Sequence, residues 1–338
     1  MVVQMKKIIS YVAIVMLSLV LVAPAHAVIK KTAQTGLQFL KSDMSARSAG
    51  MGSAFVMVGN DATAMFHNPA GIANITSGFD AFATMTQWIA DISYSAGGVA
   101  YSLGNLGTVG LNFVSADYGT IIGTVVSDVE AGYEETGNLD VGALSVGAVY
   151  ARQLTDKFTV GGQVRYAYQH LGSSTIPTAV AGETEEVENE VTGLAYEIGT
   201  IFYPGLFSSL RMGMSIKNFS PQFKYQEEAF QLPLTFVMGV AVDAFEILGM
   251  GGSNSLLLAM DAIHPRDYTE RIHLGAEFVF LNMVALRAGY KFNYDVESLS
   301  LGGGINYSLG GIGLKVDAAY SLMEDFDNVM RFTIGASF

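Results

Sequence analysis

The chain has 338 residues, half of them hydrophobic and only 14% charged, with 38 Gly, 20 Phe, 16 Tyr and no Cys. That composition excludes a disordered chain, and the missing Cys excludes thiolate metal sites, cysteine nucleophiles and disulfides. A formal net charge of −13 argues against a nucleic-acid partner, because nothing here could neutralise a run of phosphates.

The first 27 residues read as a secretory signal. Lys6 and Lys7 give a basic start, Ile8 to Val22 an apolar run, and Ala25-His26-Ala27 a small-residue ending. As a membrane anchor the run would fall short of the roughly 20 residues a span needs. Cleavage near Ala27 would remove Lys6 and Lys7 and leave a net charge of −15. Beyond it, no stretch of about 18 uninterrupted apolar residues remains to form a membrane helix.

Residues 36–76 show no alternation. Gly50 and Gly52 fit a tight turn where backbone meets backbone. Asn60-Asp61 can cap a short helix running through Met65. Asn68-Pro69, ahead of Gly71, fixes a turn after it. A compact, partly apolar stretch at this place is positioned to fold back as a plug, giving three regions: signal 1–27, plug 28–78 and barrel 79–338.

From residue 79 the chain alternates, as a membrane barrel must when one face of each strand meets lipid and the other the lumen. Residues 284–294 set Val284, Leu286, Ala288, Tyr290, Phe292 and Tyr294 against Arg287, Gly289, Lys291 and Asn293. Similar runs predict about fourteen strands near 79–86, 91–103, 107–117, 141–153, 157–171, 191–203, 209–218, 232–243, 254–263, 270–280, 284–294, 298–308, 312–322 and 328–338. Long acidic connections (118–140, 172–190, 219–231) alternate with short turns such as 104–107, 155–157 and 281–283, the outside and periplasmic ends of such a barrel. Segment 244–253 is long for a periplasmic turn. A soluble sandwich also alternates, so periodicity alone leaves that alternative open; the two chain ends decide it.

The final strand places Met330, Phe332, Ile334, Ala336 and Phe338 on one parity and ends on an aromatic residue. It resembles the C-terminal strand by which bacterial outer-membrane barrels are recognised for insertion, so barrel-assembly machinery is an expected partner, along with outer-membrane lipid and lipopolysaccharide.

The run Arg47-Ser-Ala-Gly-Met-Gly-Ser-Ala-Phe55, followed by Asn60-Asp-Ala-Thr-Ala-Met-Phe-His-Asn-Pro-Ala-Gly71, resembles the N-terminal signature of the PorV/PorQ family, which is related to the FadL-type channels. Ala259-Met-Asp261-Ala-Ile-His-Pro265-Arg-Asp267, Leu274-Gly-Ala-Glu277, Ala285-Leu-Arg287-Ala-Gly-Tyr290 and Leu299-Ser-Leu-Gly-Gly-Gly304 are similar to its late strands. His67 stands where the family usually has Trp or Tyr. The resemblance implies a fourteen-stranded, FadL-like transmembrane antiparallel barrel with an N-terminal plug. It also implies an accessory or receptor role in type IX secretion, with secretion components and the C-terminal signal domains of cargo as partners.

No enzyme constellation is present in the sequence. His67, His170, His264 and His273 lack ligand spacing, there is no G-x-S-x-G run, and the Gly-rich runs 302–304 and 310–313 precede no helix. No catalytic residue, cofactor or metal is expected. The candidates are inward charges: Arg165, Glu197, Arg211, Lys217, Asp261, Arg271, Glu277, Arg287, Lys291, Lys315, Asp317 and Arg331. In the hairpin turning at Asn282, Glu277 and Arg287 fall opposite one another and should pair. The plain reading is a neutralised network that holds the plug. The acidic run 183–190 reads as a solvated loop. Two functions stay open: the secretion receptor, and a FadL-like channel taking up a hydrophobic small molecule.

Overall fold

The computed structural model describes residues 34–338 apart from 178, 179, 181, 182 and 251. The expected signal therefore lies outside the described residues. The chain enters through four short helical turns: Gln38–Lys41, α1 (Ala46–Gly50), Ala62–Phe66 and Pro69–Asn74. Strands follow: β1 (Phe79–Gln87), β2 (Ser93–Ser102), β3 (Thr108–Asp117), β4 (Ile121–Val126), β5 (Tyr133–Leu139), β6 (Val141–Thr155), β7 (Phe158–Pro177), β8 (Thr184–Phe202) and β9 (Arg211–Phe219). After β10 (Phe223–Lys224), β11 (Ala229–Phe230) and β12 (Thr235–Asp243) comes α2 (Ala244–Ile247). The chain closes with β13 (Ser255–Pro265), β14 (Arg271–Phe280), β15 (Val284–Phe292), β16 (Glu297–Leu309), β17 (Ile312–Met323) and β18 (Val329–Ser337).

Among the described residues fourteen of these strands close an antiparallel barrel, with β4–β5 and β10–β11 as separate two-stranded ribbons. The last strand pairs with the first, from Asp80 opposite Ser337 to Gln87 opposite Met330, so the sheet has no free edge in the membrane. Alternation sorts the faces. Leu286, Ile305, Val316 and Ile334 stand out on the lipid side, each more than half exposed, while Arg287, Asp317 and Arg331 on the other parity are buried. The short-turn end is built tightly. Gly310 and Gly311, both at positive φ, join Leu309 to Ile312 in a two-residue hairpin.

The buried core lies inside the barrel. Phe39, Met44, Met51, Phe55, Met57, Met65 and Ile72, all from residues 34–75, are among the largest fully buried side chains. This inner segment starts at the end of the barrel with the long connections. There Thr35 bridges Gln231 and its hydroxyl donates to Asp267 at 2.9 Å. It leaves at the short-turn end, where the Tyr203 hydroxyl donates to Asn74 at 3.2 Å.

Three local readings are corrected; the turn expected at Gly50 and Gly52 is present, with Gly50 ending α1 and Gly52, at φ 62°, in the turn after it. Asn68-Pro69 opens a 3-10 helix rather than a turn: the Asn68 side chain accepts from the N–H of Ala70, and proline sits at the first position, where its missing N–H costs nothing. Segment 172–190 is mostly strand, because β7 and β8 stay paired from Ser173–Glu188 to Pro177–Thr184 beyond the span. Tyr294 turns inward, its hydroxyl 2.8 Å from His273 Nε2; Asn293 at φ 63° breaks the alternation just before it. Segment 244–253 contains α2, capped by Asp243, and leaves the flanking register intact from Asp243–Leu257 onward.

Candidate functional site

The inner segment meets the wall through backbone contact and matched charge. A Cβ on Gly289 of β15 would lie 2.1 Å from the N of Gly52, and one on Gly50 would lie 2.9 Å from the Cα of Gly302. These close approaches leave no room for a side chain at the touching points. At the short-turn end Asn68 Nδ2 donates to the carbonyls of Val56 (3.0 Å) and Thr200 (3.2 Å). Pro69 and Gly71 pack beside it, Gly71 directly on Ala64.

The central charges balance. Arg47 of α1 holds Glu277 in a two-pronged grip, Nε to Oε2 at 2.8 Å and Nη2 to Oε1 at 2.7 Å. Arg287 donates to the same Oε2 at 2.6 Å and to Asp317 at 2.7 Å. Asp61 caps the Ala62–Phe66 turn through the N–H of Thr63 and takes Lys315 at 3.0 Å on its other oxygen. Three cations and three carboxylates are thus neutralised by geometry suited to buried pairs, bidentate and hydrogen-bonded.

The remaining inward charges form smaller groups rather than one network. Arg165 lies 3.3 Å from Glu197, over the ring of Phe66. Asp261 takes the N–H groups of Phe55 (2.8 Å) and Val56 (2.9 Å) on one oxygen. Lys291 pairs with Glu297. Lys217 donates to the carbonyl of Phe66 at 2.6 Å. Arg331 donates to the carbonyl of Asp43 at 3.2 Å. Phe332, Ile334 and Phe338 lie on the lipid face, and Phe338 stacks on Phe79 of the first strand at 4.8 Å. Parity located the wall charges but not Arg47, Asp43 or Asp267: the inner segment has no period, and Asp267 sits in a connection, so Arg47 and Asp267 stand out only within runs that resemble the family. Burial works against the ionised Asp267 carboxyl, yet the hydrogen bond and charge of Lys41 outweigh it and hold it below the usual carboxylate range.

Among the described residues two cavities stand out. One, about 450 Å³, opens among the outer connections above the inner segment and carries Trp88, Tyr268, Arg271 and Lys217 on its walls. The other, about 690 Å³, is an apolar hollow bounded by the lipid-facing residues Val99, Leu111, Phe113, Leu314, Val316 and Ile334, with Ala81 and Ala83 between them. Among the described residues no cluster of three or more His, Asp or Glu could hold a metal.

The family model described as Type IX secretion system protein PorV matches residues 26–249, more than half of the chain. The chain belongs to the PorV family. No curated protein matches its sequence. Solved structures with the PorV-family chain's fold include the Ralstonia pickettii toluene transporter TbuX, 14% identical, TM-score 0.56, with 86% of this chain and 96% of that one covered. The Pseudomonas putida toluene transporter TodX is 12% identical, TM-score 0.58, with 87% and 96% covered. The CymD monoaromatic hydrocarbon channel is 12% identical, TM-score 0.55, with 90% and 99% covered. At such identities the likeness is one of fold alone. This PorV-family protein is therefore an outer-membrane, FadL-like barrel of the type IX secretion family.

Proposed function

We propose that the chain is a non-enzymatic receptor of type IX secretion, holding the C-terminal signal domain of a secreted protein at its outer end and passing it to other secretion components. In this reading residues 1–27 are a signal cleaved near Ala27, residues 28–78 a plug, and residues 79–338 a barrel inserted by the assembly machinery among outer-membrane lipid and lipopolysaccharide. The observation that carries it is the charge-matched inner segment, with Arg47, Glu277, Arg287 and Asp317 bonded across the lumen. Buried pairs of this kind suit a seal better than a path. What remains for function is the outer surface, where β4–β5 and the paired extensions of β7 and β8 stand.

A second reading, uptake of a hydrophobic small molecule, draws on the apolar hollow beside Ala81 and Ala83. One experiment separates the two. The mature barrel, reconstituted in liposomes, is mixed with a signal domain from a secreted protein of the same organism, and toluene entry is followed in parallel. Retention of the domain on the liposomes is the expected result. Toluene uptake above that of empty liposomes, with no domain retained, would reverse the assignment.

A further inference from the structure

The outer cavity carries a chemistry that sealing the lumen does not use. Its walls differ in character. Arg271 lies against two aromatic rings, its guanidinium carbon 4.3 Å from the centroid of Tyr268 and 3.8 Å from that of Tyr294. Among the described residues no carboxylate pairs with it, and its Nε–H finds no acceptor. Contact with the two rings holds the guanidinium in place without neutralising it, so it keeps N–H groups that can donate to a carboxylate. Lys217, deeper on the wall, spends one hydrogen bond on the carbonyl of Phe66 and likewise has no carboxylate partner among the described residues.

The four acids of the same cavity, Asp43, Asp261, Asp295 and Glu297, are already engaged, none of them without a partner. Asp43 accepts from the hydroxyls of Ser48 and Ser53, both at 2.7 Å. Asp261 accepts two backbone N–H groups and Glu297 takes Lys291. The apolar part of the wall is formed by Trp88, Ile89, Val296, Met323 and Phe326. A space of about 450 Å³ with a guanidinium that has no carboxylate partner among the described residues and an apolar stretch of wall fits a ligand with one carboxylate and a short apolar body.

We propose that this cavity binds a terminal carboxylate entering from outside the cell, with Arg271 as its principal partner and Lys217 as a second. On the receptor reading, which this inference rests on for the source, the carboxylate is the free C-terminus of the secreted chain, and the apolar wall takes its last side chain.

Trp88 is the only tryptophan of the chain and lines the cavity, 5.2 Å from the Arg331 guanidinium, so its emission reports occupancy. Mature protein in an uncharged detergent is titrated with the peptide acetyl-Ala-Val-Leu as free acid, with its C-terminal amide, and with octanoate. The expected result is a saturable change in Trp88 emission with the acid, at least tenfold weaker with the amide. Arg271→Gln should erase the difference between acid and amide, and Arg271→Lys should keep part of it. Equal responses to acid and amide overturn the carboxylate site whatever the variants do. A response to octanoate with none to the peptide acid overturns the peptide source. Retention of a whole signal domain by liposomes in either of those cases would show that the receptor reading survives without this site.

Discussion

At the scale of single residues, Glu277 shows how the lumen is neutralised. Its two oxygens accept from Arg47 on the inner segment and from Arg287 on the neighbouring strand. The second contact follows from hairpin register, since Glu277 and Arg287 are cross-strand partners. The first joins residues 230 apart in sequence, and nothing near Arg47 announces it. Replacing Arg47 by Met removes the bidentate grip and leaves Asp61 to Lys315 alone among its cations. Because Arg287 still compensates Glu277, the expected loss is about 3 kcal/mol, the lower end for a broken buried pair. It should be read as a lower temperature at which the folded barrel band disappears on a detergent gel. An unchanged transition would mean that Arg47 adds nothing to holding the segment.

Elements differ in how plainly they can be read. Strands of the barrel carry a period of two because each faces two solvents, so positions such as Leu286 and Arg287 sort themselves. Leu286→Arg should cost about 2–4 kcal/mol near the midplane, from putting charge into lipid. Gly289→Ala on the opposite parity should act differently, because its new Cβ would meet the backbone of Gly52. The expected signature is a folded barrel whose inner segment is newly cut at Arg47 by trypsin, with the first variant showing the reverse: lower stability and no new cut. The short helices of the inner segment were harder to read. Asp61 is visible as a cap in the sequence, whereas Asn68-Pro69 reads as a turn and in the structure caps a 3-10 helix. At the outer end, β7 and β8 outrun the membrane because their ladder continues in water, while composition alone suggests a loop.

For the whole molecule, closure through β1 and β18 turns fourteen strands into one body with a lipid-facing exterior. Stripped of detergent, that exterior should drive aggregation, and light scattering after detergent removal is the measurement; a folded monomer in plain buffer would contradict the assigned faces. Strand number, antiparallel order and the sorting of faces were determined by the sequence itself, because alternation between hydrocarbon and a polar interior is a local property repeated in every strand. The path of residues 34–75 through the lumen, the meeting of Arg47 with Glu277 and of Lys315 with Asp61, and the outer chamber around Arg271 were decided only by the tertiary structure. They join an aperiodic segment to distant strands, and contact between such parts depends on how the closed barrel encloses the segment, which no local pattern records.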